Sequence, residues 1–547
     1  MNTKACKNCD IEFQVTDKDQ EFYKRIDVSE PTFCRVCRHQ RRLAVRNESS
    51  LYRRKCDLCG KDVVSIYSED KPFKQYCSAC FFGDKWDGKA FGRDFDFNRS
   101  FFEQFVELQK EVPRLNTGSL NNENSEYTNF CGDCKNCYMT IASEKAEDCY
   151  YCKLCQTNKN CCDSDYLWDS ELCYDCVNIH NCYHCVGCIQ SQNSSDCYFS
   201  YDIKSCKNCI FCYNLSNKEY YIFNKKYSKQ EYEAYKKSLE INTYSGYQNA
   251  FKQVHRIFAK DSIHKDTDIV NCENSTGDNL KNCKNATLCF DMQDTEECAY
   301  CIEGDAKYCY DCSNVYYKPE LSHEIMSALQ LYNCKFSFYS HYCSDITYCD
   351  ACYYSSDLFG CVGLSHAKYC ILNKQYSEEE YKTLVQKIIE HMNKTKEYGE
   401  FLPGSLSPFA YNETIAQEWF PLTKEQALER NYKWKDKDNK EYIKQELSIP
   451  EDIKDIPNDF TKIVLSCRVC DKNYKIIAPE LDFYQKMEIP VPRGCPTCRH
   501  NKRMLFKNPR ELWNVNCTKC GVEISTSYPA EKKQKIYCEK CYLETIY

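Results

Sequence analysis

The chain has 547 residues, 46 of them cysteine, and a formal net charge of −7 at pH 7. The length suits roughly three or four domains, and the acidic balance excludes a globally basic nucleic-acid binder but not a local basic patch. The N-terminal MNTKACKNCDIEF has no basic segment followed by an apolar run, and no stretch approaches the ~18 apolar residues of a membrane span. We therefore expect a cytoplasmic protein with no membrane partner, whose reduced thiols are metal ligands or buried side chains.

Residues 1–92 contain four Cys-x-x-Cys pairs, and residues 463–547 repeat all four at positions 461 higher. A Cys-x-x-Cys turn directs two thiolates at one tetrahedral centre, so two turns complete a Cys₄ zinc site. Joining consecutive turns predicts about four zinc ions per chain. The predicted ligands are Cys6, Cys9, Cys34, Cys37, Cys56, Cys59, Cys77, Cys80, Cys467, Cys470, Cys495, Cys498, Cys517, Cys520, Cys538 and Cys541. The alternatives are interleaved pairing, iron in place of zinc, and free buried thiols.

The N-terminal KACKNCDIEFQVTDKDQEFYKRIDVSEPTFCRVCRHQRR resembles the small bacterial "probable zinc-ribbon" family. The C-terminal LSCRVCDKNYKIIAPELDFYQKMEIPVPRGCPTCRHNKR is similar, with Glu480-Leu481 in place of Asp19-Gln20. The whole arrangement also resembles a family of uncharacterised, cysteine-rich bacterial proteins with paired zinc ribbons and a repetitive middle. The resemblance implies zinc binding and no established activity.

Between these two double zinc-ribbon modules we expect helical connections and two cysteine-rich repeat blocks. The stretch RSFFEQFVELQKEV is amphipathic and ends at Pro113, which predicts a helix. Ser228 and Ser377 are predicted N-caps, since glutamates follow in the first turn of each helix. The predicted segments are a helical linker at 93–128, block 1 at 129–224, a helical arm at 225–267, block 2 at 268–374, a second helical arm at 375–400, and a docked linker with short helices at 401–462.

The central cysteines follow a triplet spacing. In block 1, 16 of 17 cysteines share one phase modulo three, with Cys162 the exception, and in block 2 ten of 13 share a phase. Small, easily buried side chains at this spacing favour a β-solenoid, and coincidences at 21 and 24 residues suggest about 20–24 residues per turn. Iron–sulfur clusters and metallothionein-like zinc loading are the alternatives. The predicted fold is therefore mostly β, with duplicated terminal zinc ribbons flanking a β-solenoid-like repeat region with short helical arms.

Basic segments at 35–55 and 493–519 follow the second cysteine pair of each module. Arginines and aromatics on a zinc-fixed segment can grip a phosphate backbone and stack on bases. The predicted nucleic-acid contacts are Arg38, Arg42, Arg46, Tyr52, Arg499, Arg503 and Trp513. The alternative is a solvated helix face. His39 and His500 adjoin the ligands, and we expect them to make structural hydrogen bonds.

The chain has no phosphate-binding glycine loop, no His-Glu-x-x-His and no glycine-flanked serine. We therefore predict a non-catalytic zinc protein whose repeat scaffold presents terminal zinc ribbons to RNA or a ribonucleoprotein. The alternatives are a protein–protein interaction scaffold and a metal-storage, thiol-redox or iron–sulfur protein.

Overall fold

The structure is a computed structural model, and it describes residues 2–316, 320, 323–324, 326–329, 333–436, 442–443 and 448–546. The chain folds into two compact units, each built from two distant stretches of sequence. Unit 1 comprises Met1–Gly118 and Thr267–Asp436, and unit 2 comprises Ser119–Asp266 and Lys437–Tyr547. Unit 1 therefore combines the N-terminal module (residues 1–92) with block 2 (268–374), and unit 2 combines block 1 (129–224) with the C-terminal module (463–547).

Each module is built from two short antiparallel hairpins, each followed by a helix. Each hairpin encloses the first Cys-x-x-Cys pair of a site in its turn, and the second pair lies at the start of a helix. The hairpins pair Asn2–Ala5 with Glu12–Val15, Tyr52–Lys55 with Asp62–Ser65, Leu465–Ser466 with Asn473–Tyr474, and Trp513–Asn516 with Glu523–Thr526. The helices that start at the second pairs are Arg35–Leu43, Ser78–Phe81, Pro496–Met504 and Glu539–Ile546.

The remaining α-helices connect or flank the modules and blocks. The helix predicted before Pro113 is present, and a further helix precedes the second cysteine pair in each module. These helices are Asp17–Arg25, Phe101–Glu111, Lys229–Ser238, Tyr244–Arg256, Glu378–Thr395, Ala416–Trp419, Lys424–Glu429 and Ala478–Lys486.

Both blocks consist of short parallel rungs that follow one another at a short, regular interval. In block 1, Tyr138 pairs with Tyr150, and Tyr150 pairs in turn with Cys162. The expected turn of 20–24 residues is wrong. Successive parallel bridges advance by half of 24 residues, so a cysteine coincidence at 24 residues spans two turns. The longer rungs are Lys153–Gln156, Asp165–Trp168, Val177–His180, Tyr201–Lys204, Lys207–Ile210, Tyr213–Ser216, Glu219–Ile222, Ile269–Val270, Gly277–Lys281, Cys289–Gln293, Ile302–Gly304, Ser313–Tyr316, Met326–Leu329, Ser344–Thr347, Ser356–Phe359 and Lys368–Ile371.

The triplet phase reflects three roles that repeat along each rung. One residue faces inward, the next makes the parallel bridge, and the third turns the corner in the left-handed region, as at Asp133, Asn136 and Met139 (φ 53°, 52° and 49°). Asp and Asn tolerate this region better than most residues, which accounts for their frequency before the cysteines. Cys162 lies on a bridging position instead, and its Sγ is 3.8 Å from Tyr484 Oη of the C-terminal module.

Block 2 departs from the regular register of block 1 at specific rungs. Ile269 pairs with Leu280 and Ile302 with Ser313, each one position short of that register, whereas Ser313 pairs with Met326, one position beyond it. The first shortening sets Cys272 out of phase with the cysteines that follow it. The position lost at Ser313 and regained at Met326 shifts Cys309 and Cys312, so three of the 13 are out of phase.

An antiparallel hairpin and a helix follow the last rung of each block. Ile222 pairs with Lys225 at the end of block 1, and Ile371 pairs with Lys374 at the end of block 2. The predicted N-caps Ser228 and Ser377 then accept hydrogen bonds from backbone N–H groups of the following helices, with a reciprocal glutamate in each. Within the described residues, no helix combines the length and apolar character needed to cross a bilayer.

Candidate metal centres

The structure brings the sixteen terminal cysteines together as four groups, joined in the consecutive order. In each group the four sulfur atoms lie within 4.8 Å of one another. Group A is Cys6, Cys9, Cys34 and Cys37; group B is Cys56, Cys59, Cys77 and Cys80; group C is Cys467, Cys470, Cys495 and Cys498; group D is Cys517, Cys520, Cys538 and Cys541. Interleaved pairing is therefore not the arrangement found.

The spacing of the thiols fits a tetrahedral metal ion. Four sulfurs at a Zn–S distance of about 2.3 Å would lie about 3.8 Å apart. The sulfur pairs joining the two halves of the groups are 3.8 Å apart for Cys9 and Cys34, 3.9 Å in group B, 3.6 Å in group C and 3.8 Å in group D. Since four cysteine sulfurs also suit iron, the donor set alone leaves both metals open.

Backbone geometry positions the first pair of each group. The hairpin turn needs a left-handed residue directly after the pair, and Gly60 and Gly521 occupy that place in groups B and D, at φ 72° and 77°. Asp10 and Asp471 occupy it in groups A and C, at φ 58° and 59°. These turns direct two sulfurs of each group toward the same point.

The second pair of each group lies where a helix begins, which adds electrostatic support for the thiolates. Cys34 and Cys495 are the N-caps of their helices. The backbone N–H of Cys34 donates to Cys6 Sγ at 3.2 Å, and that of Cys495 donates to Cys467 Sγ at 3.2 Å. Asn8 Nδ2 donates to Cys37 Sγ at 3.2 Å.

Hydrogen bonding favours the thiolate form of the first cysteine in three groups. Burial would raise the pKa of these thiols, but backbone N–H donors outweigh burial and lower it. The pKa is about 7 for Cys56 and Cys467 and about 6 for Cys517. Deprotonated thiols at neutral pH are what metal binding requires.

The central cysteines occupy a different environment. In block 1, one inward column recurs at the interval of the parallel bridges and is 3% exposed or less: Cys137, Cys149, Cys161, Cys173, Cys185, Cys197 and Cys209. Their thiols point to backbone carbonyls, as in Cys185 Sγ, which lies 3.5 Å from Tyr183 O and 3.7 Å from Ser194 O. In the part of the chain that is described, the close four-thiol arrangement is found at the termini.

The arginines expected to contact nucleic acid are buried inside the units. In unit 2, Arg499 Nε lies 3.2 Å from Asp163 Oδ1, and Arg503 Nε lies 2.7 Å from Asp165 Oδ2. In unit 1, Arg38 Nε lies 2.9 Å from Asp311 Oδ1.

The remaining predicted contacts also bind within the protein or are partly covered. Arg42 is 0% exposed and its Nε donates to Ser313 Oγ at 3.2 Å. Arg46 pairs with Glu48 at 2.7 Å, and both are 2% exposed. Tyr52 donates to Glu413 at 2.7 Å, and Trp513 is half-buried at the start of a hairpin strand.

These contacts correct the assignment of the arginines to nucleic acid. Burial next to carboxylates removes the guanidinium groups of these arginines from a phosphate backbone. His500 makes the expected structural contact, since its Nδ1 lies 3.0 Å from Asp165 Oδ2. His39 is 5% exposed, and its ring lies 5.4 Å from that of Phe420.

The partner carboxylates were not among the residues predicted from the sequence. Asp163 and Asp311 occupy equivalent positions of the two blocks, and Asp165 and Ser313 are related by the same offset. Attraction by arginine outweighs the effect of burial at Asp165 and Asp311, so the pKa of each lies below its usual value. Burial raises the pKa of Asp163 to about 6 despite Arg499 and Arg503. The equal spacing between these residues of block 1 and their counterparts in block 2 was the sequence signal that could have identified them. Aspartate is common throughout both blocks, however, so the signal is weak.

Comparison with known proteins adds little to this geometry. No protein-family model matches the chain, and no curated protein matches it. Among solved structures, the chain is similar at 9% identity and a TM-score of 0.10 to a candidate acetyltransferase from Desulfovibrio desulfuricans G20. The match covers 44% of this chain and 63% of that one. Similarity at this TM-score carries no argument for fold or activity.

Proposed function

We propose that the protein is a non-catalytic zinc protein in which four structural zinc ions hold two modules against a β-solenoid scaffold. The observation that carries this proposal is the fourfold Cys₄ geometry, with sulfur pairs 3.6 to 3.9 Å apart. Sites closed by four cysteines are typical of structural rather than catalytic zinc, because no position is left open for water or substrate.

The parallel rungs support the scaffold part of the proposal. Regular steps with inward thiols and serines build a narrow packed core. A stack of repeats of this kind offers an extended outer surface for partners.

The partner we propose is another protein, bound through exposed aromatic residues of block 2. Tyr342 and Tyr354 are 40% and 52% exposed, and their rings stack with centroids 5.0 Å apart. Tyrosine is enriched at protein interfaces. RNA is the less favoured partner, since the five arginines predicted to contact it are engaged with carboxylates.

Metal content tests the zinc assignment. Protein purified without oxygen should contain about four zinc ions per chain and no stoichiometric sulfide. Variant C6S/C9S should contain one zinc fewer, whereas the matched variant C182S/C185S in block 1 should retain all of them. Iron in the purified protein, or zinc lost from C182S/C185S, would contradict the assignment.

Co-purification tests the protein partner. A partner that binds the scaffold should survive nuclease and high salt, and Tyr342→Asn with Tyr354→Asn should release it. Asparagine suits both positions because their φ values are 55° and 49°. Tyr183→Ala, in block 1, provides the control. Loss of the partner on nuclease treatment would favour the RNA alternative instead.

A further inference from the structure

In groups A and C, the second cysteine pair lies at the start of a helix. The same helix carries the arginines that are buried against a repeat block. Cys34 is the N-cap of Arg35–Leu43, Cys37 lies in its first turn, and Arg38 follows directly. Cys495 and Cys498 stand in the same relation to Arg499 in Pro496–Met504. A metal ion that holds the first turn of the helix in place therefore also holds the backbone from which the arginine side chains extend.

The preceding helices, Asp17–Arg25 and Ala478–Lys486, contact the same aspartates as the arginines, and these contacts are equivalent in the two units. In unit 1, Tyr23 Oη donates to Asp311 Oδ2 at 3.3 Å; in unit 2, Tyr484 Oη donates to Asp163 Oδ2 at 3.4 Å. The two tyrosines, like the arginines, differ by 461 in number. The two modules thus contact the two blocks in the same way, each through the equivalent aspartate of its block.

A second contact repeats in the same way. Tyr300 Oη donates to Asp19 Oδ2 at 3.1 Å in unit 1, and Tyr151 Oη donates to Glu480 Oε2 at 3.1 Å in unit 2. Asp19 and Glu480 both lie in the helix that precedes the second cysteine pair. The block therefore contacts both helices of the half-module that contains group A or group C.

We propose that metal binding at groups A and C is coupled to docking of each module on its block, so that Asp311 and Asp163 set metal retention without being ligands. This inference rests on the proposed zinc-binding function. The undocked module would lose the contacts that orient its ligand-bearing helix, so its metal would bind less tightly. By linkage, loss of the metal would weaken docking by the same factor.

Group B supplies an internal comparison within unit 1. Its second cysteine pair opens the short helix Ser78–Phe81, which contacts block 2 through Phe81, 5.9 Å between ring centroids from Tyr353. No buried arginine–carboxylate pair among the described contacts joins this helix to the block. Substitution of Asp311 should therefore affect group A and leave group B unchanged.

The experiment measures zinc transfer from the full-length, zinc-loaded protein to excess 4-(2-pyridylazo)resorcinol. Variant D311N should accelerate release of one zinc ion by at least about fivefold, the lower end of usual coupling factors, and C6S/C9S should lack that phase. Variant D345N is the control, because Asp345 is an exposed block 2 residue that accepts a hydrogen bond from Asn333 at 2.9 Å. D163N should accelerate release of a different ion, the one that a C467S/C470S variant lacks.

Hydrogen exchange supplies the reciprocal measurement. C6S/C9S should increase exchange in residues 299–311, whereas C56S/C59S should leave them unchanged. Should D311N fail to fold, Y300F removes only the hydrogen bond to Asp19 and should still accelerate release from group A. The coupling would be overturned if D311N or Y300F released zinc at the wild-type rate and C6S/C9S left hydrogen exchange in residues 299–311 unchanged. A zinc content of four would leave the proposed function intact in that case, whereas a different metal content would refute that function itself.

Discussion

The buried arginines that face the repeat blocks lie close to carboxylates, because an unpaired charge in the interior is costly. Arg114 illustrates the arrangement outside the metal-binding helices. It is 2% exposed, donates to Tyr67 Oη at 2.7 Å and pairs with Asp350 at 2.5 Å. Gln109 also donates to Asp350, at 2.8 Å.

We expect Arg114→Gln to destabilise unit 1 by about 3–5 kcal/mol, because it leaves Asp350 buried without its charged partner. The matched variant is Arg93→Gln, which removes a partly exposed pair with Glu111 and should cost below about 1 kcal/mol. Urea unfolding of both variants measures the difference. Equal losses in the two would show that burial does not govern these pairs.

His264 in unit 2 is a second buried group with a defined protonation state. Its Nδ1 lies 2.7 Å from Tyr201 Oη, and its Nε2 lies 2.8 Å from Phe258 O. Burial lowers the pKa of His264 to about 4, although the hydrogen bond to the Phe258 carbonyl raises it. The folded protein therefore holds this histidine neutral well below the pH at which the unfolded chain protonates it.

Acid should weaken unit 2 through His264. Its contribution is complete above the unfolded pKa of about 6.5 and decreases as pH falls toward about 4, where the folded form also binds a proton. The loss amounts to at most about 3 kcal/mol. The free energy of unfolding of His264→Asn should thus depend less steeply on pH than that of the wild type between pH 6.5 and 4.5. Parallel pH profiles would exclude this histidine as the cause.

At the scale of elements, the rung dictates which side chains are tolerated inside. Serine shares the inward positions with cysteine: Ser164 Oγ donates to Cys162 O at 3.0 Å and accepts from the Cys176 N–H at 3.1 Å. Both side chains are small, and each donates a hydrogen bond to the carbonyl oxygen of the residue two positions earlier. Ala146, Leu167 and Ile179 occupy other inward positions, so these positions accept small or apolar side chains and do not require a metal ligand.

We expect Cys185→Ser to cost below about 1.5 kcal/mol, because its hydroxyl can donate to the Tyr183 carbonyl as Ser164 donates to Cys162 O. Cys185→Leu should cost about 1–3 kcal/mol, since extra methylene groups overpack a residue that is 0% exposed. Denaturant unfolding measures both. If the serine variant were the more damaged, the thiol itself would have a role that packing does not explain.

At the scale of the whole molecule, each module lies with the block that is farther from it in sequence. The N-terminal module shares unit 1 with block 2, and the C-terminal module shares unit 2 with block 1. Deletion of residues 463–547 should therefore increase hydrogen exchange in residues 150–165, which the deleted Tyr484, Arg499 and Arg503 cover.

The control deletion is residues 1–92, which should increase exchange in residues 299–311 instead. Mass spectrometry of peptides from both truncated chains resolves the two blocks. Increased exchange in 150–165 after loss of the N-terminal module, the nearer one in sequence, would contradict this division into units.

The amino-acid sequence by itself determined the local features of this protein. The four Cys₄ groups, the N-caps Ser228 and Ser377 and the helix before Pro113 follow from short-range patterns, because ligand spacing, capping and amphipathicity act within a few turns of chain. The triplet phase likewise reported the corner geometry of the rungs, although coincidence statistics gave the wrong turn length.

Only the tertiary structure decided where the arginines point and which block each module meets. Arg38 and Arg499 read as solvent-exposed basic residues, since their partners Asp311 and Asp163 lie far away in sequence and belong to no motif. Burial of a charge depends on a partner brought close by folding. Residue type and spacing cannot reveal such long-range pairing, so the basic segments resembled a nucleic-acid surface until their neighbours were known.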